Sequence, residues 1–401
     1  MKAASRFLKL GAAFVSALVM VPVLTFAQNH NVINHYVQTN FVTDPNSGFS
    51  ATFTDKNLKN PWGMARSTGG PWWISDNNAG VSTLYDGTGA ARSLVVKIPV
   101  PNGSVACTGD NTPPNCVLSA PTGVVFNGST DFNVSPGNPA AFIFVTEDGT
   151  ISAWARVLGS DAALEVDNSA IPTSTEGGAV YKGATIGELN GNRCLYVTNF
   201  RAGKVEVYDT NFHQVRRCDG DGDDNEGWDG AFEDDQIPTG FAPFNIQNIG
   251  GSLFVTYAKQ NADKHDDVAG DGFGFVDLFS PSGTLLTRFE QGSWLNAPWG
   301  IVWAPRDFGE FSNDILVGNF GSGTIAAYNG FTGQFIGFMR DHNGNTVSIE
   351  GLWGLTFGNS ASAGPYNSLF FTAGVNGEKD GLFGTLTPDP ATNELNEGDE
   401  L

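Results

Sequence analysis

The sequence predicts an all-β chain: a six-bladed β-propeller of four-stranded antiparallel blades, closed by an N-terminal strand that completes the last blade. Three observations lead there. A strand–glycine turn–strand unit recurs at Trp73–Asp86, Leu195–Asp209 and Asn313–Asn329. A short motif opens each repeat, and its recurrent glycine, asparagine in one copy, falls at Gly63, Gly123, Gly183, Asn245, Gly300 and Gly354, spaced by 60, 60, 62, 55 and 54 residues. Periods of that order, each holding several short strands, are those of propeller blades. Finally, only 16% of residues are charged while 51 are glycine and 30 phenylalanine, a profile of turn-rich β-structure.

At the N-terminus, Lys2, Arg6 and Lys9 precede an apolar run from Leu10 to Leu24 and then small residues around Thr25-Phe-Ala27. This pattern reads as a signal peptide over residues 1–27, with the propeller over 28–388. The apolar run is short for a bilayer span, and no membrane span is expected in the mature chain. The segment Tyr36–Thr43 alternates like an outer strand and stands before the first blade.

The blade-opening motif is clear at Asn60-Pro-Trp-Gly-Met64, Ala120-Pro-Thr-Gly-Val124, Ala297-Pro-Trp-Gly-Ile301 and Gly351-Leu-Trp-Gly-Leu355. It is degenerate at Tyr181-Lys-Gly-Ala184 and Ala242-Pro-Phe-Asn-Ile246. Gly80, Gly149, Gly203 and Gly323 mark the turns between middle strands. In the fifth blade, strands are expected near Gly300–Trp303, Asp314–Gly318, Thr324–Tyr328 and Gln334–Met339. The sixth repeat supplies three, near Trp353–Phe357, Ser368–Thr372 and Leu382–Leu386, before Pro388. A propeller cannot leave its last blade with a bare edge, so Tyr36–Thr43 is the fourth. Residues 389–401, with five acidic and no aromatic residues, are expected to be a disordered tail.

The formal charge is −21, and −24 without the three basic residues of the leader. So acidic a surface repels phosphate backbones, which excludes nucleic acid as a natural partner and favours divalent cations. Four cysteines fit an oxidising compartment, secreted or periplasmic. Of three possible pairings, the local one, Cys107 with Cys116 and Cys194 with Cys218, is preferred.

Overlaying the repeats places Asp76, Glu147, Asn199 and Asn319 at one position, where the second strand enters its turn. Tyr257 and Ala373 take that place in the fourth and sixth blades. These turns share a face with the blade-opening motifs, so the four oxygen-bearing side chains either converge on calcium at the channel mouth or cap their own turns. At the same turn of the fourth blade is an insertion, Lys259-Gln-Asn-Ala-Asp-Lys-His-Asp-Asp267. His265 or Asp266 could work there as a general base, or the histidine as a metal ligand, with Lys259, Gln260, Lys264 and Asp267 as ligand contacts; the alternative is a polar loop held by its own ion pairs. Asp219, Asp221 and Asp223 have the spacing that begins a calcium loop, but Asp224 stands where glycine is required and Gly230 where glutamate is. A solvated acidic loop is the competing reading. Trp62, Trp299 and Trp353 read as packing between blades rather than a ligand platform.

Pro-Trp-Gly followed by Ile-Leu-Val-Gly-Asn-Phe-Gly-Ser-Gly makes the repeats resemble NHL-type six-bladed propellers. More narrowly, Phe241-Ala-Pro-Phe-Asn-Ile-Gln247, Tyr257-Ala-Lys-Gln260 and Lys264-His-Asp-Asp-Val-Ala-Gly270 make the chain resemble a family of secreted, largely bacterial propeller proteins of unestablished activity. The resemblance implies the fold and export, and no reaction. Lactonases of related architecture bind calcium through Glu, Asn and Asp, for which Glu147, Asn199, Asn319 and Asp76 would be the counterparts. Amidating lyases with NHL repeats hold zinc by several histidines. His30, His35, His213, His265 and His342 occupy no equivalent repeat positions, so that likeness fails. The expectation is a monomeric module binding calcium and a small-molecule or protein ligand at its loop-rich face, with a metal-dependent hydrolase or lyase as the alternative.

Overall fold

In all six repeats the first strand carries its blade-opening motif to the ring axis, and the chain then steps outward strand by strand. The computed structural model describes residues 35–389 except 108–112, 171–176 and 220–230. The leader, most of the acidic tail, Asp221 and Asp223 lie outside the described residues.

The first five blades run consecutively from inner to outer strand. Blade three, for example, comprises Tyr181–Leu189, Asn192–Asn199, Lys204–Tyr208 and Gln214–Val215. Blade five comprises Pro298–Trp303, Ile315–Asn319, Ile325–Tyr328 and Phe335–Phe338, within two residues of expectation. Blade six takes Leu352–Phe357, Leu369–Ala373 and Leu382–Pro388 from the C-terminal end and Tyr36–Thr43 from the N-terminal end. The last two pair antiparallel from Tyr36 opposite Pro388 to Thr43 opposite Leu382. Tyr36 is buried, donates its hydroxyl to the Phe308 carbonyl at 3.0 Å and packs on the Phe308 ring.

The recurrent glycine has a steric cause. A β-carbon on Gly63 would stand 2.5 Å from the Thr122 carbonyl of the next blade. One on Gly123 would meet the Ala184 amide at 2.9 Å, and one on Gly300 the Trp353 carbonyl at 2.5 Å. The inner strands therefore close around the axis only where no side chain intervenes. Asn245, the exception, donates its amide to the Trp299 carbonyl at 2.8 Å and bridges the two blades instead. Each inner strand is irregular at this register in its pairing with the second strand. In three blades a second-strand threonine repairs the break. Thr198, Thr256 and Thr372 accept from the amides of Gly183, Asn245 and Gly354.

Apolar side chains of facing blades fill the spaces between sheets. Ile143, Val145 and Ile151 of blade two pack with Tyr181, Leu195 and Val197 of blade three. Both expected disulfides are present, Cys107–Cys116 in the loop before blade two and Cys194–Cys218 across blade three. Among the described residues, no helix is long and apolar enough to cross a membrane.

Candidate functional site at the channel mouth

The residue before the axial glycine is Trp62, Thr122, Lys182, Phe244, Trp299 and Trp353 in successive blades. The aromatic members fill the centre. Trp62 stacks on Trp353 at 3.5 Å between centroids and lies 6.3 Å from Phe244, which comes from the opposite side of the ring. Trp62, Phe244, Trp299 and Trp353 are all buried, so the tryptophans serve packing and plug the channel.

Lys182 is the charged member of this series and is 1% exposed. Its ammonium lies 5.0 Å from the Trp62 ring centroid and 5.6 Å from that of Phe200. Above it, Nζ donates to Glu147 Oε1 and stands 3.7 Å from Asp266 Oδ1. Glu147 Oε2 accepts from Asn77 Nδ2 at 2.8 Å. Burying an ammonium is costly unless it is paired, and these carboxylates with the two ring faces are its compensation. Periodicity passed over Lys182 as part of a degenerate motif. The signal that finds it is a charge at a register otherwise held by tryptophan, phenylalanine or threonine.

The insertion of blade four is an ordered extension of its central hairpin. Gln260 bridges to Asp267, the Val268 amide donates to the Lys259 carbonyl, and the Asn261 amide donates to that of Asp266. Gln260 also anchors the hairpin by donating its side-chain amide to the Phe200 carbonyl. Lys259 is turned away, its ammonium 4.0 Å from the Phe273 ring centroid. Lys264 occupies the left-handed bend of the turn. His265 Nδ1 and Asp266 Oδ1 are 2.7 Å apart. The donor atoms of Glu147, His265 and Asp266 all lie within 4.8 Å of one another.

Further carboxyls crowd the mouth. Burial pushes Asp267 up to about 7, against the pull of Lys182. Burial also raises Glu378, with the Glu147 and Asp266 charges adding to it, although Asn60 donates to it at 2.9 Å. Asp148 is raised by burial and by Glu147. Asp266 is held below the usual carboxylate range by His265 first and Lys182 next. Acids thus outnumber the ammonium they surround.

The other residues of the expected ring stay in their turns. Asp76 is fully buried, with one oxygen accepting from the Thr83 amide at 3.0 Å and hydroxyl at 2.7 Å. Asn199 donates to Glu206 and accepts from the Ala202 amide. Asn319 donates to the Trp294 carbonyl and Thr324 hydroxyl and accepts from the Asn296 amide. Of the four, Glu147 reaches the mouth. Asp219 lies elsewhere, beside the Cys194–Cys218 bridge, and pairs with Arg217 at 3.0 Å.

No family model matches the chain. Over 349 residues it is 30% identical to the uncharacterized protein R648 of Acanthamoeba polyphaga mimivirus, covering 84% of this chain and 77% of that protein. The chain belongs to the R648 family. The uncharacterized protein L690 of the same virus is 29% identical over 351 residues, 86% of this chain and 84% of its own. Among solved structures, a streptogramin B lyase superposes with a TM-score of 0.43 at 12% identity, over 88% of this chain and 97% of the lyase.

Proposed function

We propose that the protein is an exported binding module that holds a divalent cation at its channel mouth and recognises a ligand on the same face. The observation that carries this reading is the convergence of Glu147, His265 and Asp266 beside further carboxyl groups, Asp267 and Glu378, that burial first and neighbouring acids next push upward. A cation among them would favour their charged forms. The two carboxylates suit calcium, while the imidazole suits a softer ion such as zinc. A cation here competes with the Lys182 ammonium for the same two acids. Export is supported by the two disulfides.

Calorimetric titration of calcium into chelator-treated protein tests it. The expected result is one site, weakened about tenfold or more in Glu147→Gln, a loss of at least about 1.4 kcal/mol. Below pH 7 Asp267 is largely neutral, and above it the carboxylate is charged, so affinity rises as pH increases through about 7. Absence of a saturable signal with calcium, and with zinc, sinks the cation site.

A second reading, a metal-dependent hydrolase or lyase, is favoured by the His265–Asp266 contact. It leaves Nε2 to take a proton while the carboxylate orients the ring. Turnover of a lactone or ester by calcium-restored protein, lost in both Glu147→Gln and His265→Ala, would establish it over the binding reading.

A further inference from the structure

Between blades five and six, on the face that carries the charged cluster, lies a cavity of about 450 Å³. That is within the range of pockets that hold small organic molecules. One wall is the half-buried Phe320 ring, stacked on Trp353 at 3.9 Å with an interplanar angle of 17°. The Gly321-Ser-Gly323 turn, Gly351 and Gly374 supply backbone walls. Glu350 and Glu378 line the remainder, and the cavity lining contains no lysine, arginine or histidine.

The two carboxylates are positioned rather than adrift. Glu350 Oε1 accepts from the Gly377 amide at 3.0 Å, and Glu378 Oε2 accepts from Asn60 Nδ2 at 2.9 Å. Each holds its place with one oxygen and has a second oxygen to offer. Glu147, by contrast, already has Lys182 against it. Gly377 sits between the two glutamates in sequence contact with Glu378, and a β-carbon there would meet nothing within 4 Å. The space beside it is open.

We infer that this cavity binds an organic cation, a primary ammonium on a flat or apolar body, with Phe320 against the body and Glu350 and Glu378 at the charge. An aromatic face and carboxylates in a partly desolvated recess both favour such a group over a neutral one of the same shape. The inference rests on reading this face as the ligand-binding face, and it names the ligand's chemistry.

The test pairs benzylammonium with its neutral isostere benzyl alcohol, titrated calorimetrically into the mature protein. The expected result is binding of the ammonium about tenfold or more tighter than the alcohol. Glu350→Gln should weaken the ammonium about fivefold or more and leave the alcohol unchanged. Ala269→Trp, an exposed position on the rim, should block both probes without lowering the melting temperature. Equal affinity for the two probes, no binding of the ammonium, or indifference to both variants overturns the inference. Calcium titration of the same variants keeps the two readings apart. If the pocket alone fails, calcium binding persists in wild type and Glu350→Gln; if the channel-mouth cation site alone fails, benzylammonium still binds.

Discussion

Lys182 concentrates the conflict between stability and function in one side chain. Its ammonium is enclosed by Trp62 and Phe200 and answered by Glu147 and Asp266. Removing it leaves Glu147, which is largely buried, without its counter-charge. Lys182→Met should therefore destabilise the fold by about 1–3 kcal/mol, less than a fully buried pair because Asp266 is exposed. Adding Glu147→Gln to it should restore most of that loss, which a double-mutant cycle by denaturant unfolding measures. The same Lys182→Met protein should bind calcium more tightly than wild type, since the competing charge is gone. Weaker binding would mean that the lysine organises the site rather than competing for it.

Among the elements, strands and their order were readable because their cause is local. The axial glycine repeats because a β-carbon there strikes the next blade, and Gly80, Gly149, Gly203 and Gly323 repeat because their turns need positive φ. The strand Tyr36–Thr43 was legible from alternation and from the missing fourth strand of blade six. The site was less legible, because its composition depends on neighbours distant in sequence. Overlay of the repeats places Asp76, Asn199 and Asn319 on equal terms with Glu147. Their surroundings differ: three meet amides and hydroxyls of nearby turns, and one meets Lys182. Glu378 gave no periodic signal, since it ends a left-handed stretch, Asn376 to Glu378, with φ of 58°, 61° and 66°. The closing strand carries its own expectation. Tyr36→Ala should cost about 3–5 kcal/mol for the lost aromatic packing. Tyr36→Phe, which removes the hydroxyl that donates to the Phe308 carbonyl and accepts from the Phe311 amide, should cost about 1 kcal/mol. Similar losses in chemical denaturation would place the hydroxyl, not the ring, at the centre of the latch.

Across the molecule, one buried acid links the ring's stability to pH. Asp277 in blade four is 2% exposed, and burial, with the Asp234 charge beside it, pushes it from 3.8 up to about 8. Between about pH 4 and 8 the folded protein holds this proton and the unfolded chain does not. Stability from this group is therefore full below about 4 and declines as pH rises through the window. Asp277→Asn should flatten the decline, so that the variant gains on wild type by up to about 1.4 kcal/mol for each pH unit across the window. Melting temperatures across that range decide it, and an unchanged slope would assign the pH dependence to other acids.

The pairing of Tyr36 with Pro388 also sets a timetable. The first of the described strands, Tyr36–Thr43, pairs early only at its end, Val42 with Phe53 and Thr43 with Thr54, and its antiparallel partner Leu382–Pro388 comes nearly last in the ring. At about 5–20 residues per second that is an interval of roughly 20–70 s. Throughout it, the third strand of blade six does not yet exist, and the early strand waits with the edge that will face Leu382–Pro388 unpaired. A chaperone that shields one short segment near the N-terminus would be protecting the step on which all six blades depend.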